Sequence, residues 1–237
     1  MNYNYLMRSR SIRIARRWDK RPPRGGIAVV IDVMRFSTTL CALLAAGRRT
    51  VRVALGPAQL RGARGIERAD VFSELRFACP GRRRDNSPHQ ALRSAGRDAP
   101  AYSTTTTGAR AAFRSRSARR VLIGCFANFS ALLRVLRRSR GAICLVPAAS
   151  PTPHPGRVED EACAAALKAA LLGVSGAGPR AVAAVRASGR PAQFLRERPR
   201  WGKKDLPLCL GLDRWPHVPE LRFPASSPGM ARVRDAS

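Results

Sequence analysis

Acidic residues are scarce in this chain, which has 15 Asp and Glu against 44 Lys and Arg and a formal net charge of +29. Long apolar runs are also missing, since none reaches the roughly 18 residues that a membrane-spanning helix needs. The nearest approach, residues 163–173, is interrupted by Lys168. We therefore expect no membrane association and a cytoplasmic location. A hydrophobic content of 45% predicts a globular protein.

Lysine and aromatic residues are rare as well. Nearly all the positively charged residues are arginines, and they are distributed over the whole chain. A GC-rich coding sequence produces this distribution without selection for nucleic-acid binding. Such charge attracts polyanions. However, an aromatic content of 6% and the lack of a recognised motif argue against a dedicated nucleic-acid surface. We expect nucleic acid to bind only non-specifically.

Metal-binding and disulfide patterns are absent too. The six cysteines are widely spaced with no C-x-x-C pair, and the three histidines are scattered. This pattern is typical of buried thiols in a reducing compartment, rather than of a zinc site or a disulfide framework.

Strand and helix signals alternate along most of the chain. After a first strand that begins at Ile27, we predict strands at 50–55, 102–107, 121–125 and 142–146, and helices at 57–68, 109–116, 129–138 and 159–172. This alternation predicts an α/β fold, a three-layer α/β/α arrangement with a mixed, mostly parallel sheet. Residues 77–100 are expected to be loop-rich. The predicted organisation is a basic, poorly ordered N-terminal arm (1–24), one domain (25–224) and a C-terminal tail (225–237).

Residues 27–39 hold the strongest local signal. A run of apolar, β-branched residues predicts a buried strand, and Asp32 interrupts it near its end. Arg35 and the hydroxyls of Ser37 and Thr38 follow before a helical segment. Ligands of open α/β sheets bind at strand carboxyl ends, and a helix N-terminus beside an arginine fork favours phosphate or sulfonate. We predict an anion site here with Asp32 holding a metal; a buried ion pair between Asp32 and Arg35 is the alternative.

Glu159 and Asp160 open a helix that follows a Pro-rich loop. Carboxylates at this place can contact a metal or a substrate. On the local pattern alone, capping and a favourable interaction with the helix dipole, which need no function, are the preferred explanation.

Further polar candidates lie at strand ends and turns. Hydroxyls and an open backbone suit a phosphate nest, whereas a common N-S-P turn, a threonine-rich edge strand and a helix cap are the structural alternatives. These candidates are Asn86, Ser87, Thr105, Thr106, Gly108 and Asn128.

Six short segments, in this order, resemble motifs of the 2-phosphosulfolactate phosphatase family of coenzyme M biosynthesis. Residues 29–39 are similar to its V-V-I-D-V-L-R-A-[ST]-T-T. Residues 85–88 resemble its G-N-S-P, residues 105–111 its T-T-N-G-T-R-A, and residues 121–128 its strand followed by Asn. Residues 159–164 resemble its E-D-x-x-x-A-G, and residues 205–219 resemble its closing segment. The matches are collinear and cover about residues 27–222.

The resemblance implies Mg²⁺-dependent hydrolysis of a phosphate monoester, 2-phosphosulfolactate or a related small phosphorylated acid. Asp32, Glu159 and Asp160 would hold the metal and orient a water, and Arg35 would bind the anionic substrate. Mg²⁺ is satisfied by one or two carboxylates together with waters and substrate oxygens. The remaining donors would come from Ser37, Thr38, Asn86, Ser87, Thr105, Thr106, Gly108 and Asn128. A phospho-aspartyl intermediate on Asp32 is the alternative mechanism.

Several positions depart from the family pattern. Phe36 stands where the family has a small residue, which is expected to crowd the helix entry. The family's G-F-D-L-G is replaced by residues 81–85, which contain three consecutive arginines. Thr107 replaces an Asn, Ala109 a Thr and Ala165 a Gly. These departures predict altered specificity, or loss of catalysis, with the fold retained.

The expected partner is a small anionic phosphorylated substrate, and a homodimer is possible. Two other functions stay open at this point. One is a catalytically impaired family member, and the other is an Arg-rich protein that binds polyanions or nucleic acid.

Overall fold

Ten strands form one mixed sheet in the part of the chain that the structure describes. This computed structural model describes residues 11–15, 25–63, 65–94, 96, 98–148 and 158–237. The strands are β1 (Ile12–Ile14), β2 (Ile27–Ile31), β3 (Val51–Ala54), β4 (Asp70–Phe72), β5 (Arg82–Arg84), β6 (Ala101–Ser103), β7 (Arg120–Gly124), β8 (Ile143–Pro147), β9 (Pro219–Arg222) and β10 (Met230–Asp235). Their order in the sheet is β1-β8-β2-β7-β9-β10-β3-β6-β4-β5.

The sheet consists of two parallel blocks that run in opposite directions. Neighbours are parallel within β1-β8-β2-β7 and within β3-β6-β4-β5. Strands β9 and β10 pair antiparallel with each other and join β7 to β3, again antiparallel.

Nine α-helices complete the described fold. They are α1 (Phe36–Ala45), α2 (Ala58–Arg61), α3 (Pro88–Arg93), α4 (Gly108–Arg114), α5 (Phe129–Arg138), α6 (Val158–Leu171), α7 (Ala177–Ala187), α8 (Arg190–Glu197) and α9 (Gly202–Cys209). Across the described residues, none of the helices combines the length and the apolar character needed to cross a membrane.

Helices cover both faces of the first block. Ile27, Val29 and Ile31 pack in one core with residues of α5, α6 and α7. Ala28 and Val30 point the other way and pack with residues of α1 and α4. Strand β2 is therefore buried on both sides, as strands of parallel sheets usually are. This arrangement confirms the predicted three-layer α/β/α fold with a mixed, mostly parallel sheet.

The sequence predicted several elements well and missed others. The helix predicted at 129–138 has the bounds of α5, and the strands predicted at 121–125 and 142–146 differ from β7 and β8 by one residue at each end. The helix predicted at 57–68 is broken, because Gly65 adopts a φ of 76° between α2 and a short 3₁₀ turn, Ile66–Arg68. The segment expected to be loop contains β5 and α3; β5 consists of three arginines and carries no apolar signal.

The predicted terminal segments contain strands. Residues 12–14 of the expected arm form β1 at the edge of the sheet, while residues 1–10 and 16–24 lie outside the described residues. The expected C-terminal tail contains β10, which lies in the middle of the sheet between β9 and β3. The sequence conceals this strand because Arg232 and Arg234 interrupt its apolar residues.

Part of the arginine excess neutralises buried carboxylates. Asp70 and Glu220 are both fully buried at the sheet, and each lies within ion-pair distance of three arginines. The partners are Arg48, Arg82 and Arg84 for Asp70, and Arg120, Arg222 and Arg234 for Glu220.

A carboxylate at the end of β10 makes the stability of the sheet sensitive to acid. Burial alone would raise the pKa of Asp235, but hydrogen bonds from His217 and from the N–H groups of Val218 and Ser237 bring it below its ordinary value. Because the unfolded chain then binds the proton more tightly, this contribution to the free energy of unfolding is present above the ordinary aspartate range near about pH 4. It is lost as the pH falls through the lower folded-state pKa.

We therefore expect Asp235→Asn to lower the free energy of unfolding at pH 6, and the difference from wild type to shrink at about pH 3. Urea titrations at both pH values measure the effect. The matched control is Asp98→Asn, because Asp98 and its partner Arg49 are both largely exposed. An equal loss for Asp235→Asn at both pH values would show that the carboxylate charge is not the cause.

Candidate functional site

The turn between β2 and α1 is held by its own hydroxyls. Ser37 Oγ accepts a hydrogen bond from Asp32 N at 2.9 Å, and Thr38 Oγ1 donates to Val33 O at 2.8 Å. Phe36 N donates to Asp32 Oδ1 at 3.2 Å, which fixes the carboxylate at the start of the helix. Ser37 and Thr38, predicted to bind substrate, are thus fully buried and position Asp32.

A small cavity of about 60 Å³, called here the site cavity, lies at the carboxyl end of β2. Residues from both blocks of the sheet and from α6 and α8 surround it. Its lining residues are Asp32, Met34, Arg35, Glu74, Asn86, Thr105, Thr106, Thr107, Glu159, Arg190, Phe194, Glu197 and Arg198.

Curvature of the sheet brings the two blocks together at this cavity. Strands β2 and β6 are five places apart in the sheet, which is roughly 24 Å in a flat one. Nevertheless Thr107 Oγ1, four residues after β6, lies 3.1 Å from Asp32 Oδ2 and donates a hydrogen bond to it. The sheet must therefore curl, together with the loop after β6, to close the site.

Two carboxylates approach each other in the cavity. Glu159, at the start of α6, accepts hydrogen bonds from Arg190 Nε on both oxygens at 3.0 Å. Burial raises the pKa of Glu159, the Arg190 guanidinium opposes this rise, and the negative charge of Asp32 adds to it. Asp32 and Glu159 are therefore close enough to repel each other, a cost that a bound cation would relieve.

Asp160, the neighbour of Glu159, faces elsewhere. Its Oδ1 accepts a hydrogen bond from Val33 N at 2.7 Å, and the residue is not among those that line the site cavity. Asp160 ties α6 to the β2–α1 turn. The structure therefore brings Asp32 and Glu159 together and gives Asp160 a different contact.

Two buried oxygens at the cavity have no hydrogen-bond partner within the described part of the chain. One is Glu74 Oε2 and the other is Asn86 Oδ1. The second Glu74 oxygen accepts from Thr106 N and Thr106 Oγ1, at 2.7 and 2.9 Å. An unpartnered buried acceptor is costly, so both oxygens call for a donor or a cation in the cavity.

The oxygen donors of the cavity fit a hard cation such as Mg²⁺. Asp32, Glu159, Glu74 and Asn86 supply carboxylate and amide oxygens, the ligand type that Mg²⁺ prefers. In the described residues, no group of three or more His, Cys, Asp or Glu side chains is placed to hold a metal ion. A Mg²⁺ ion in the cavity would therefore take one or two carboxylates from the protein and keep several waters.

Arg35 lines the cavity but its guanidinium is engaged by two carboxylates. Nη2 lies 2.8 Å from Asp85 Oδ1, and Nη1 lies 2.8 Å from Asp205 Oδ2. Burial would lower the pKa of Arg35, but these carboxylates raise it above its ordinary value, so the group stays charged. A buried ion pair between Asp32 and Arg35 was the alternative to a metal site, and Asp32 takes part in neither of these two ion pairs. The role of Arg35 as a substrate clamp stays a prediction.

Other predicted residues hold the elements around the cavity. Ser87 caps α3 and donates to Asp205 Oδ1 at 2.6 Å, and Thr105 Oγ1 accepts from Ala109 N at the start of α4. Asn128 is fully buried and donates to Ile123 O and His217 O, away from the cavity lining. Of the predicted hydroxyl and amide residues, only Asn86, Thr105 and Thr106 line the site cavity.

A second, larger cavity of about 900 Å³ adjoins the first and shares Glu74, Glu197 and Arg198 with it. We call it the basic cleft, because seven basic and three acidic side chains line it. The lining residues are Ser73, Glu74, Arg76, Arg83, Arg84, Asp85, His89, Gln90, Arg93, Glu197, Arg198, Pro199, Arg200, Trp201 and Lys204.

Two comparisons with known proteins identify the family of this chain. The sequence profile of the 2-phosphosulpholactate phosphatase family matches residues 14–223. The chain belongs to this family. It is also 35% identical, over 153 residues, to a probable 2-phosphosulfolactate phosphatase of Symbiobacterium thermophilum. That match covers 63% of this chain and 65% of the relative, slightly less than two thirds of its length.

Two of the departures from the 2-phosphosulfolactate phosphatase family pattern, Phe36 and Thr107, have structural explanations. Phe36 does not obstruct the helix entry, because its ring packs against Gly108. A Cβ on Gly108 would lie 2.4 Å from Phe36 Cδ1, so only glycine leaves room for the ring. Thr107, in place of the family's Asn, still lines the cavity and bonds Asp32.

Several site residues were missed by the sequence analysis of this family member. Asp85 and Asp205 lie within the quoted motifs but carry no local sign of their bond to Arg35. Arg190 and Arg198 are indistinguishable from the other arginines of the sequence. The remaining ones are Met34, Glu74, Phe194 and Glu197.

Proposed function

We propose that this chain is a phosphatase that hydrolyses 2-phosphosulfolactate, or a related small phosphorylated acid, to the free hydroxy acid and phosphate, with Mg²⁺ as cofactor. Family membership and the name of the relative from Symbiobacterium thermophilum support the reaction class. The observation that carries the proposal is the site cavity, which Asp32 and Glu159 line together with Glu74 and Asn86, two residues that each have a buried oxygen without a partner in the described part of the chain.

The metal would be held by Asp32 and Glu159, with the amide oxygen of Asn86 as a further donor and waters as the remaining ligands. When bound, Mg²⁺ would neutralise part of the phosphate charge and lower the pKa of a coordinated water. Asp32 is already oriented for this task, since Phe36 N and Thr107 Oγ1 each bind one of its oxygens. Arg190 holds Glu159 in place through both of its oxygens.

The positive charge that the phosphate requires is present at the cavity. Arg198 lines it and uses one donor, Nη1, on the carbonyl of Glu197 at 3.2 Å. A guanidinium offers five donors in a fork that matches phosphate oxygens. We assign Arg198 to the phosphate, while Arg35 organises the cavity wall through Asp85 and Asp205. The cytoplasmic location and the homodimer stay predictions.

The test is phosphate release from 2-phosphosulfolactate by purified protein, with excess MgCl₂ and after treatment with EDTA. We expect turnover with Mg²⁺, its loss with EDTA and its return when Mg²⁺ is added back. Circular dichroism in EDTA is the control that the fold persists. Absence of release from 2-phosphosulfolactate, 2-phospholactate and 2-phosphoglycerate by folded protein would favour a catalytically impaired family member. Release that is insensitive to EDTA would contradict the assignment of Mg²⁺.

A further inference from the structure

The basic cleft opens directly beside the site cavity. Glu74, Glu197 and Arg198 line both spaces, so one molecule can reach from one into the other. Pockets of about 300–1,000 Å³ hold drug-sized ligands. At about 900 Å³, the cleft exceeds what the three carbons of a phosphorylated lactate can fill.

Much of the positive charge in the cleft is not neutralised by carboxylates. Within the described residues, Arg76, Arg93, Arg200 and Lys204 form no ion pair with Asp or Glu, although the shell around Asp70 and Glu220 shows how readily this chain pairs its arginines. Burial together with the charges of Lys204 and Arg93 lowers the pKa of His89, which indicates that both cations act on the same part of the cleft. Because these four cations are exposed and close to one another in one cleft, they favour the binding of an anion there.

The basic wall is built from the segment in which this chain departs from its family. Arg83 and Arg84 of β5 stand where the family has G-F-D-L-G, and both line the cleft. They are held in place, because Arg84 Nε lies 3.2 Å from Asp70 Oδ1 and Arg83 donates to Leu75 O. Trp201 packs at the same wall, with Arg200 and Lys204 over its ring at 5.3 and 5.4 Å. The charge is therefore part of a folded surface.

We infer that the basic cleft binds a second phosphate group, so that small bisphosphates bind more tightly than the corresponding monophosphates and are further substrates of the site. The inference extends the substrate class of the proposed phosphatase function, on which its hydrolytic step rests. The scissile phosphate occupies the site cavity and the other phosphate lies in the basic cleft. The water oxygen forms the new P–O bond, the ester P–O bond breaks, and one proton of that water passes to the leaving alkoxide while the other stays on the phosphate. The products are inorganic phosphate and a monophosphate.

The test compares fructose 1,6-bisphosphate with fructose 1-phosphate and fructose 6-phosphate. We expect kcat/KM for the bisphosphate to exceed both monophosphates by about tenfold or more, mainly through KM, since a charge-assisted hydrogen bond contributes about that factor. The double variant Arg93→Gln/Lys204→Gln is expected to remove most of this preference. The matched control is Arg116→Gln/Arg140→Gln, because these exposed arginines line neither cavity.

Calorimetric titration separates this inference from the proposed function. Fructose 1,6-bisphosphate should bind wild-type protein about tenfold more tightly than either monophosphate, and the double variant should lose that difference, even without turnover. Equal binding of all three sugars overturns the inference, whereas tight bisphosphate binding without phosphate release contradicts only the proposed function. Higher kcat/KM for a 5′-phosphorylated oligonucleotide than for any small bisphosphate also overturns it, because the cleft then serves a polynucleotide.

Discussion

Asp32→Asn is expected to lower kcat for phosphate release from 2-phosphosulfolactate by about 10²- to 10⁴-fold, because weakened metal binding removes several kcal/mol of transition-state stabilisation. The amide keeps the shape of the side chain and can still accept from Phe36 N, but it carries no charge toward a metal or a water. It also loses an acceptor for Thr107 Oγ1, which lies 3.1 Å from Asp32 Oδ2. Steady-state kinetics with a phosphate assay measures the effect.

The comparison variant for this experiment is Asp160→Asn. Its Oδ1 can still accept from Val33 N, and the side chain does not line the site cavity. We expect it to retain at least about ten times more activity than Asp32→Asn. Thermal unfolding of both variants shows whether they remain folded. Comparable activity in the two variants would remove the special role assigned to Asp32.

Arg35→Met is expected to lower the free energy of unfolding by about 3–5 kcal/mol, since it leaves a buried charge without its partner. Asp205 is fully buried, and Arg35 Nη1 is its cationic partner at 2.8 Å. Ser87 Oγ and His89 N would still donate to Asp205 Oδ1, but two neutral donors do not replace a guanidinium. Urea denaturation at neutral pH measures the loss.

Two further variants separate the buried charge from the lost packing. Arg35→Met/Asp205→Asn removes both charges and should regain a large part of the stability, because replacing a whole buried pair is often close to neutral. Arg49→Met breaks an exposed pair with Asp98 and should change stability by less than about 1 kcal/mol. A loss of under about 1 kcal/mol for Arg35→Met itself would mean that water reaches Asp205 freely.

The sequence was sufficient to predict the position of the site but not its composition. The β2 strand, Asp32 and the helix after it follow from local patterns, because apolar runs and strand-end polar residues are signals within a few residues of each other. Glu74 and Arg190 come from other parts of the chain and meet Asp32 only through the curled sheet and the packing of α8. Short-range sequence patterns do not predict contacts between residues that are so far apart in the chain.

Neighbouring residues with the same chemistry illustrate the same limit. Glu159 and Asp160 are adjacent in the sequence, yet one lines the cavity and the other binds Val33 N. Successive helix positions point about 100° apart, so a pair of acids at a helix start seldom serves one task. The basic residues could not be told apart at all. The sequence has 44 of them spread evenly along the chain, so nothing in it distinguishes the few that line the site cavity and the basic cleft.

The position of β9 and β10 has a consequence for how the protein is made. Both parallel blocks are complete by Pro147, but they share no edge until these two strands, the last of the described fold, are inserted between β7 and β3. During synthesis on the ribosome, the growing chain must therefore carry two unfinished half-sheets whose open edges can pair with other chains. Because the site cavity draws Asp32 from one half and Glu74 from the other, it can close only after residues 219–235 have been synthesised.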